Sequence, residues 1–588
     1  MKSILSSIAV LLLLSVASAH AFVQNRLASG GGYHWDLTNL PVNVHTNIVN
    51  RNTKAVRYFL ATDGYSSTNT QAELNAIRAS FAQWQSISNT ILKFEEGGPA
   101  SPRNSINTAD NTNVIFWAKS STVVGPGADI SGALGVTFTT ALQGGALDAT
   151  LKEADIVFNG VDDQWITDFN NPTSLSYFVE GTALHELGHF IGLDHSALGG
   201  GTMFAYSDTG VSPQAGLSSD EVLAAQYIYR TSNVNPQRSW LKGQVTRFGT
   251  NIIGAVVTVE DTNGLLQACS VTRTNGYEVP LLLPGNYNVR VSPLDPNSSA
   301  EPLVSPQDIS ASGDYNAAET NFLPGTNTLV TLTAGATNTL NLVVLPFAPA
   351  FRISLIRGVT TNPGSYSWSG LPASALQGQA NITMGVGSRN LPTSGATLSV
   401  TGDGLSIGST TFLANAFGSG ENFISVTLSV SSNATPGLRS FIVQQGTNRA
   451  VANGFFEVLP LRPDYNFDGL DDYFQRQYFP LFTATNAAPS ADPDGDGFNN
   501  LSEYIAGSNP TNGASYLKIS KVQQNASGTT LTWAGAARKK YQVLSKPVIS
   551  SGTFTPLSTV FNATGTNVQY LDSGATSGIK FYRVQAIP

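Results

Sequence analysis

The sequence predicts a multidomain protein, α+β at its N-terminal end and built of β-sandwich modules after that. Three observations carry this. At roughly 100–200 residues per domain, a chain of 588 residues holds about three to five domains. With 12% charged and 41% hydrophobic residues, in short β-branched runs, the composition is that of folded, strand-rich chains. Helical periodicity is confined to the chain before about residue 232, and after Pro236 short β-runs alternate with Gly, Asn and Pro. The net charge of -8 argues against nucleic acid or an anionic membrane as a partner and suits an exported protein that binds cations.

Residues 1–21 read as a signal peptide. Lys2 supplies the positive start, Ile8 to Leu14 the apolar core, and Ala17, Ser18, Ala19 and Ala21 the small residues before cleavage after Ala19 or Ala21. The apolar run is shorter than the ~20 residues a membrane span needs. No other segment is long and apolar enough, so no span is expected after cleavage and the expected location is extracellular. Cys269 is the only cysteine, which excludes an internal disulfide. It reads as a buried strand residue.

Residues 22–232 form the first domain. Thr70 and Glu73 suggest a capping box, and Leu74, Ile77, Phe81, Trp84 and Ile87 recur at helical spacing, predicting a helix over 71–89. Val114–Trp117, Leu134–Thr139 and Ala154–Phe158 read as strands. A second helix is expected over roughly 175–191. A third should start near Ser218, boxed by Glu221, and run to Tyr229.

Residues 185–195 read HELGHFIGLDH and hold three of the six histidines. Helix positions i and i+4 share a face, so His185 and His189 can grip one Zn²⁺. Gly192 can take the left-handed turn that ends the helix and lets the chain return with His195. Three protein ligands leave the fourth position open, as in a catalytic rather than a structural zinc site. Glu186, beside the first ligand, is placed to take a proton from a water activated by the metal and pass it to a leaving amine. An amphipathic core helix with incidental histidines is the bland alternative. The added Gly192 and His195 argue against it.

HELGHFIGLDHS followed by Met203 resembles the metzincin metallopeptidases, and within them the matrixins, over roughly residues 33–230. The resemblance implies a catalytic domain with a twisted mixed sheet and three helices, one catalytic zinc, and protein or peptide substrates. It implies that Met203 forms a hydrophobic floor beneath the metal. It also implies that the strand near Leu134–Thr139 is an edge strand able to pair with an extended substrate. Departures are informative. Outside the motif lie only His20, His34 and His45, none where vertebrate matrixins hold a structural zinc, so one zinc is expected. With no cysteine before the domain, a thiol-based propeptide switch is not expected. Some other metzincins place a zinc-binding tyrosine two residues after the methionine; Tyr206, three residues after Met203, reads as cleft wall, with a ligand role as the alternative.

Residues 238–346 resemble a carboxypeptidase regulatory-like β-sandwich, through Gly254–Val259, Thr274–Tyr277 and Leu283–Tyr287. Residues 350–459 look like an immunoglobulin-like module, through Val400–Gly404 and Ala434–Gly437. Residues 515–588 resemble the β-modules that end bacterial exported proteins. None of the three carries a catalytic set. Glycan or surface binding and a plain spacer are both open to them.

Between these modules, residues 462–512 are rich in Asp and Asn. DPDGDGFNNLSE places Asp492, Asp494, Asp496, the backbone of Phe498, Asn500 and Glu503 at loop positions 1, 3, 5, 7, 9 and 12, with Gly497 at the sharp turn. This is the oxygen-rich pattern of an EF-hand-type Ca²⁺ loop. Asp464, Asn466, Asp468 and Asp472 form a weaker copy in which position 12 is Gln475. The pair is similar to dockerin or thrombospondin type 3 repeats. Two readings of the whole chain follow: a secreted zinc metalloendopeptidase, or a surface-attachment or matrix-binding protein whose protease domain is secondary or inactive.

Overall fold

The computed structural model describes residues 2–3, 22–27, 30–38, 44–145, 148–171, 175–211, 213–231, 237–298, 302–310, 315–357, 368–415, 420–575 and 578–588. The signal-peptide reading, apart from Lys2 and Ser3, and the boundary near residues 232 and 236 lie outside these. Two compact units are present, Met1–Leu461 and Arg462–Pro588. Among the described residues no helix is long and apolar enough to cross a membrane.

In the first unit a six-stranded sheet runs Val49–Asn50, Ala55–Ala61, Val114–Ala118, Leu151–Asn159, Gly135–Ala141, with Phe94–Ala100 also paired to Ala55–Ala61. The central pairings are parallel. The last strand, Gly135–Ala141, runs antiparallel at the edge. The inner strands Val114–Ala118 and Leu151–Asn159 are almost wholly buried, as strands covered on both faces must be.

Helix α1 (Thr70–Gln85) buries Leu74, Ile77, Phe81 and Trp84, four of the five residues whose spacing predicts it, and ends short of the expected residue 89, so that Ile87 lies beyond its C-cap Ser86. Its capping box does not form. Asn69 is the N-cap and makes no side-chain cap bond. Glu73, pulled inward and buried, accepts instead from the backbone N–H groups of Tyr65 (2.8 Å) and Ser66 (3.1 Å), so it pins the preceding loop. Helix α2 (Val179–Phe190) lies against α1. Trp84 Nε1 donates to the Leu184 carbonyl at 2.9 Å and Ser80 Oγ to that of Glu180 at 2.9 Å. Trp35 Nε1 donates to the Phe190 carbonyl at 2.8 Å, closing the helix end. Helix α3 (Ser219–Ile228) begins at the predicted Ser218–Glu221 capping box.

After residue 237 the regular elements among the described residues of the unit are strands apart from helix α4 (Pro306–Ile309). Leu266–Val271, Ala255–Asp261, Gly285–Pro293 and Thr328–Leu332 form one sheet, and Tyr277–Leu282, Ser239–Gly243 and Thr337–Thr339 another. Cys269 is buried in the first of these and free. A five-stranded and a four-stranded sheet follow, spanning residues 355–459. The second unit holds α5 (Asp472–Tyr478), α6 (Asn500–Ala506) and two small sheets around Trp533 and Tyr541, both fully buried. Tyr582 is only partly buried and packs against that core.

Candidate metal centre

Helix α2 carries His185 and His189 one turn apart on its buried face. Gly192 ends the run at φ +103. A Cβ there would lie 2.1 Å from the Tyr33 carbonyl oxygen, so both the turn and the close approach demand glycine. The turn is held from outside: Asn25 N–H donates to the Gly192 carbonyl at 2.9 Å and Asp194 N–H to that of Val23 at 2.9 Å. His195 then faces the helix.

The three histidines are brought together, with ligand atoms within 4.8 Å of one another. Their Nδ1 atoms all lie on backbone carbonyls: His185 on Thr202 (2.7 Å), His189 on Leu193 (2.8 Å), His195 on Asp308 (2.7 Å). A carbonyl only accepts, so each Nδ1 carries the proton and each Nε2 is a lone-pair donor. His185 and His189 Nε2 are 3.1 Å apart, and His195 Nε2 is buried with no hydrogen-bond partner. Burial, with the neighbouring rings adding to it at His185 and His189, holds all three well below the usual imidazole range. Buried neutral imidazoles with converging, unsatisfied lone pairs fit a divalent cation.

Glu186 is fully buried. Thr137 Oγ1, on the edge strand, donates to its Oε2 at 2.6 Å, while Oε1 has no partner. Burial pushes the carboxyl up to about 8 against the opposing pull of Thr137. Met203 lies under the helix, where a Cβ on Gly188 would come within 2.1 Å of its Sδ. Tyr206 donates its hydroxyl to Asp308 Oδ1. Thr137, Gly188 and Asp308 are contributions that sequence reasoning missed. Only Thr137 had a signal, its place on a strand already expected beside the cleft.

The loop from His195 to Met203 is packed from a distance. Gly199 and Gly200 N–H groups donate to the carbonyls of Asn453 (3.1 Å) and Gly454 (2.8 Å). The Phe204 and Phe455 rings meet edge to face at 5.4 Å.

In the second unit Asp492, Asp494 and Asp496 also come together within 4.8 Å. Gly497 takes φ +91 at the turn, and its N–H donates to Asp492 Oδ2 at 3.0 Å. Glu503 is buried beside them, its Oε2 without a partner. Burial and the three aspartates push it up to about 7. Phe498 N–H donates to Asp496 Oδ1 at 2.9 Å. Asn500 gives its amide hydrogens to the carbonyls of Asn486 and Ala488. The weaker loop differs. Among the described residues Asp464, Asp468 and Asp472 do not form a further cluster of this kind. Amide nitrogens of Asn466 (3.0 Å) and Gln475 (2.8 Å) already donate to Asp468 Oδ2.

Residues 50–230 match the family model described as matrixin, a peptidase family. The match supports a metallopeptidase, and matrixins bind zinc, a metal this triad could hold. No curated protein matches the chain. Among solved structures, the Bacillus anthracis TIE protein is 12% identical at TM-score 0.13, over 38% of this chain and 34% of that one. The Bacillus cereus major pilin subunit BcpA is 8% identical at 0.13, over 59% and 88%. Fervidolysin from Fervidobacterium pennivorans, a keratinolytic enzyme related to subtilisin, is 13% identical at 0.14, over 43% and 34%. This chain thus spans only about a third of the first and third of these, and likenesses so slight carry no argument.

Proposed function

We propose that this chain is a secreted zinc-dependent metalloendopeptidase that cleaves extracellular proteins. The observation that carries the reading is the convergence of three buried Nε2 lone pairs, each fixed by a carbonyl on Nδ1, beside a carboxylate with one unpartnered oxygen.

His185, His189 and His195 would hold one zinc, which when bound lowers the pKa of a water towards ~7 and polarises a peptide carbonyl. The chain's own residues do the rest. Thr137 anchors Oε2 of Glu186, leaving Oε1 to take a proton from the attacking water and pass it to the leaving amine. The outer edge of Gly135–Ala141, the last strand of the sheet, would pair with an extended substrate backbone. Gly135 itself leaves room, since a Cβ there would lie 2.8 Å from Glu186 Oε1. Met203 would floor the site.

Calcium in the loop 492–503 belongs to the same reading. Asp492, Asp494, Asp496 and Glu503 offer hard oxygen ligands of the kind calcium prefers, and the ion would stiffen the segment. The modules 238–346, 350–459 and 515–588 are proposed as non-catalytic in their own right.

Incubating the purified chain with casein or gelatin, with and without a zinc chelator, tests the reading. Chelator-sensitive cleavage is expected. Its absence from zinc-loaded wild type overturns the proposal.

A further inference from the structure

The three metal-site imidazoles are not held by the same part of the chain. His185 and His189 rest on the carbonyls of Thr202 and Leu193, inside the stretch that matches the matrixin family. His195 rests on the carbonyl of Asp308, 113 residues further on, in the β-rich stretch that follows.

Asp308 is itself fixed from both sides. Its Oδ2 accepts from Ser305 N–H (2.7 Å) and Ser305 Oγ (2.6 Å), boxing the start of α4. Its Oδ1 accepts from the Tyr206 hydroxyl, which belongs to the chain just after Met203. Ile309, fully buried, anchors α4 in a core shared with Leu198 and Phe204 of the loop beyond His195. The carbonyl that orients His195 is therefore placed by two side-chain contacts and a packed neighbour.

We infer that Asp308 is a positioning residue of the metal centre: from the module next in sequence it fixes the tautomer and orientation of His195. The inference rests on the metallopeptidase reading. Partners of the second ring nitrogen of a ligating histidine typically change metal affinity about 10–100-fold when removed. The sequence-based expectation of a non-catalytic module is sharpened accordingly, because that module supplies no reacting group but completes the support of one that binds the metal.

The test uses the full chain, with zinc affinity measured by competition with a chromogenic chelator and the visible spectrum of the cobalt-substituted protein. Asp308→Ala should weaken zinc binding about 10–100-fold and alter the cobalt bands. Tyr206→Phe, which removes one hydroxyl, should weaken it severalfold. Asp308→Asn, which keeps an acceptor, should restore most of the affinity. If Asp308→Ala does not fold, Tyr206→Phe and Asp308→Asn carry the test. Zinc affinity within twofold of wild type and unchanged cobalt bands in the folded variants would overturn the inference and leave the metallopeptidase reading standing. A wild-type chain that takes up no zinc would overturn both.

Discussion

Thr137 Oγ1 donates to Glu186 Oε2 at 2.6 Å, tying the edge strand of the sheet to the carboxylate beside the three histidines. A hydrogen bond to the ionised form lowers a carboxyl's pKa, and this one opposes the burial that raises Glu186. Thr137→Val removes the donor while keeping the shape. The proton affinity of Glu186 should rise, and the acid limb of kcat/KM should move to higher pH by about half a unit or more. A pH–rate profile checks it. A limb that stays put or moves down contradicts the assigned role.

Glu186→Gln keeps the volume and removes the base. Cleavage should fall about a hundred- to ten-thousandfold with zinc content unchanged. Metal analysis alongside kinetics separates this from loss of the ion. An active Glu186→Gln would show that the proton is carried elsewhere.

Gly188→Ala and Gly192→Ala test the packing of the site. At Gly188 the new Cβ meets Met203 Sδ, the end of a flexible side chain, and a cost of about 1–3 kcal/mol is expected. At Gly192 it meets the Tyr33 carbonyl, and the residue must also hold φ +103, so the loss should be larger. Chemical unfolding midpoints and zinc content should both rank wild type above Gly188→Ala above Gly192→Ala.

The acidic loop makes a prediction about metal and one about pH. Removing calcium, or Asp494→Ala with Asp496→Ala, should increase protease cutting within residues 462–512. Equal cutting with and without the ion would argue against calcium there. Glu503 has a proton affinity raised above that of a free glutamate. Its stability contribution in the metal-free protein is therefore fully present below about pH 4.5 and lost as pH rises through about 7. Calcium, by pairing the carboxylate, should flatten that fall. Calorimetry from pH 5 to 8 with and without calcium measures it.

The convergence of the three histidines was legible because its information is local. Helical spacing sets His185 against His189, and a glycine at the turn returns His195. The capping box at Ser218 was legible for the same reason. The one expected at Thr70 was not formed, because Glu73 found backbone donors at Tyr65 and Ser66 that no short pattern announces. Asp308 was invisible on stronger grounds. It acts on His195 through a main-chain carbonyl, which every residue has, across 113 positions. Gly188 was hidden likewise, since its reason is the sulfur of Met203 rather than its own helix.

Chains of this kind are often pictured as beads that can be exchanged without consequence for their neighbours. The carbonyls of Asn453 and Gly454 and the ring of Phe455 make that exchange costly here. Any segment grafted in place of the one that holds Asn453 to Phe455 would have to offer two acceptors at the same spacing and a ring against Phe204. Recombination that leaves the histidines untouched would still disturb the loop between the last of them and Met203, so the strand that holds Asn453 to Phe455 is expected to travel through evolution with the segment it supports.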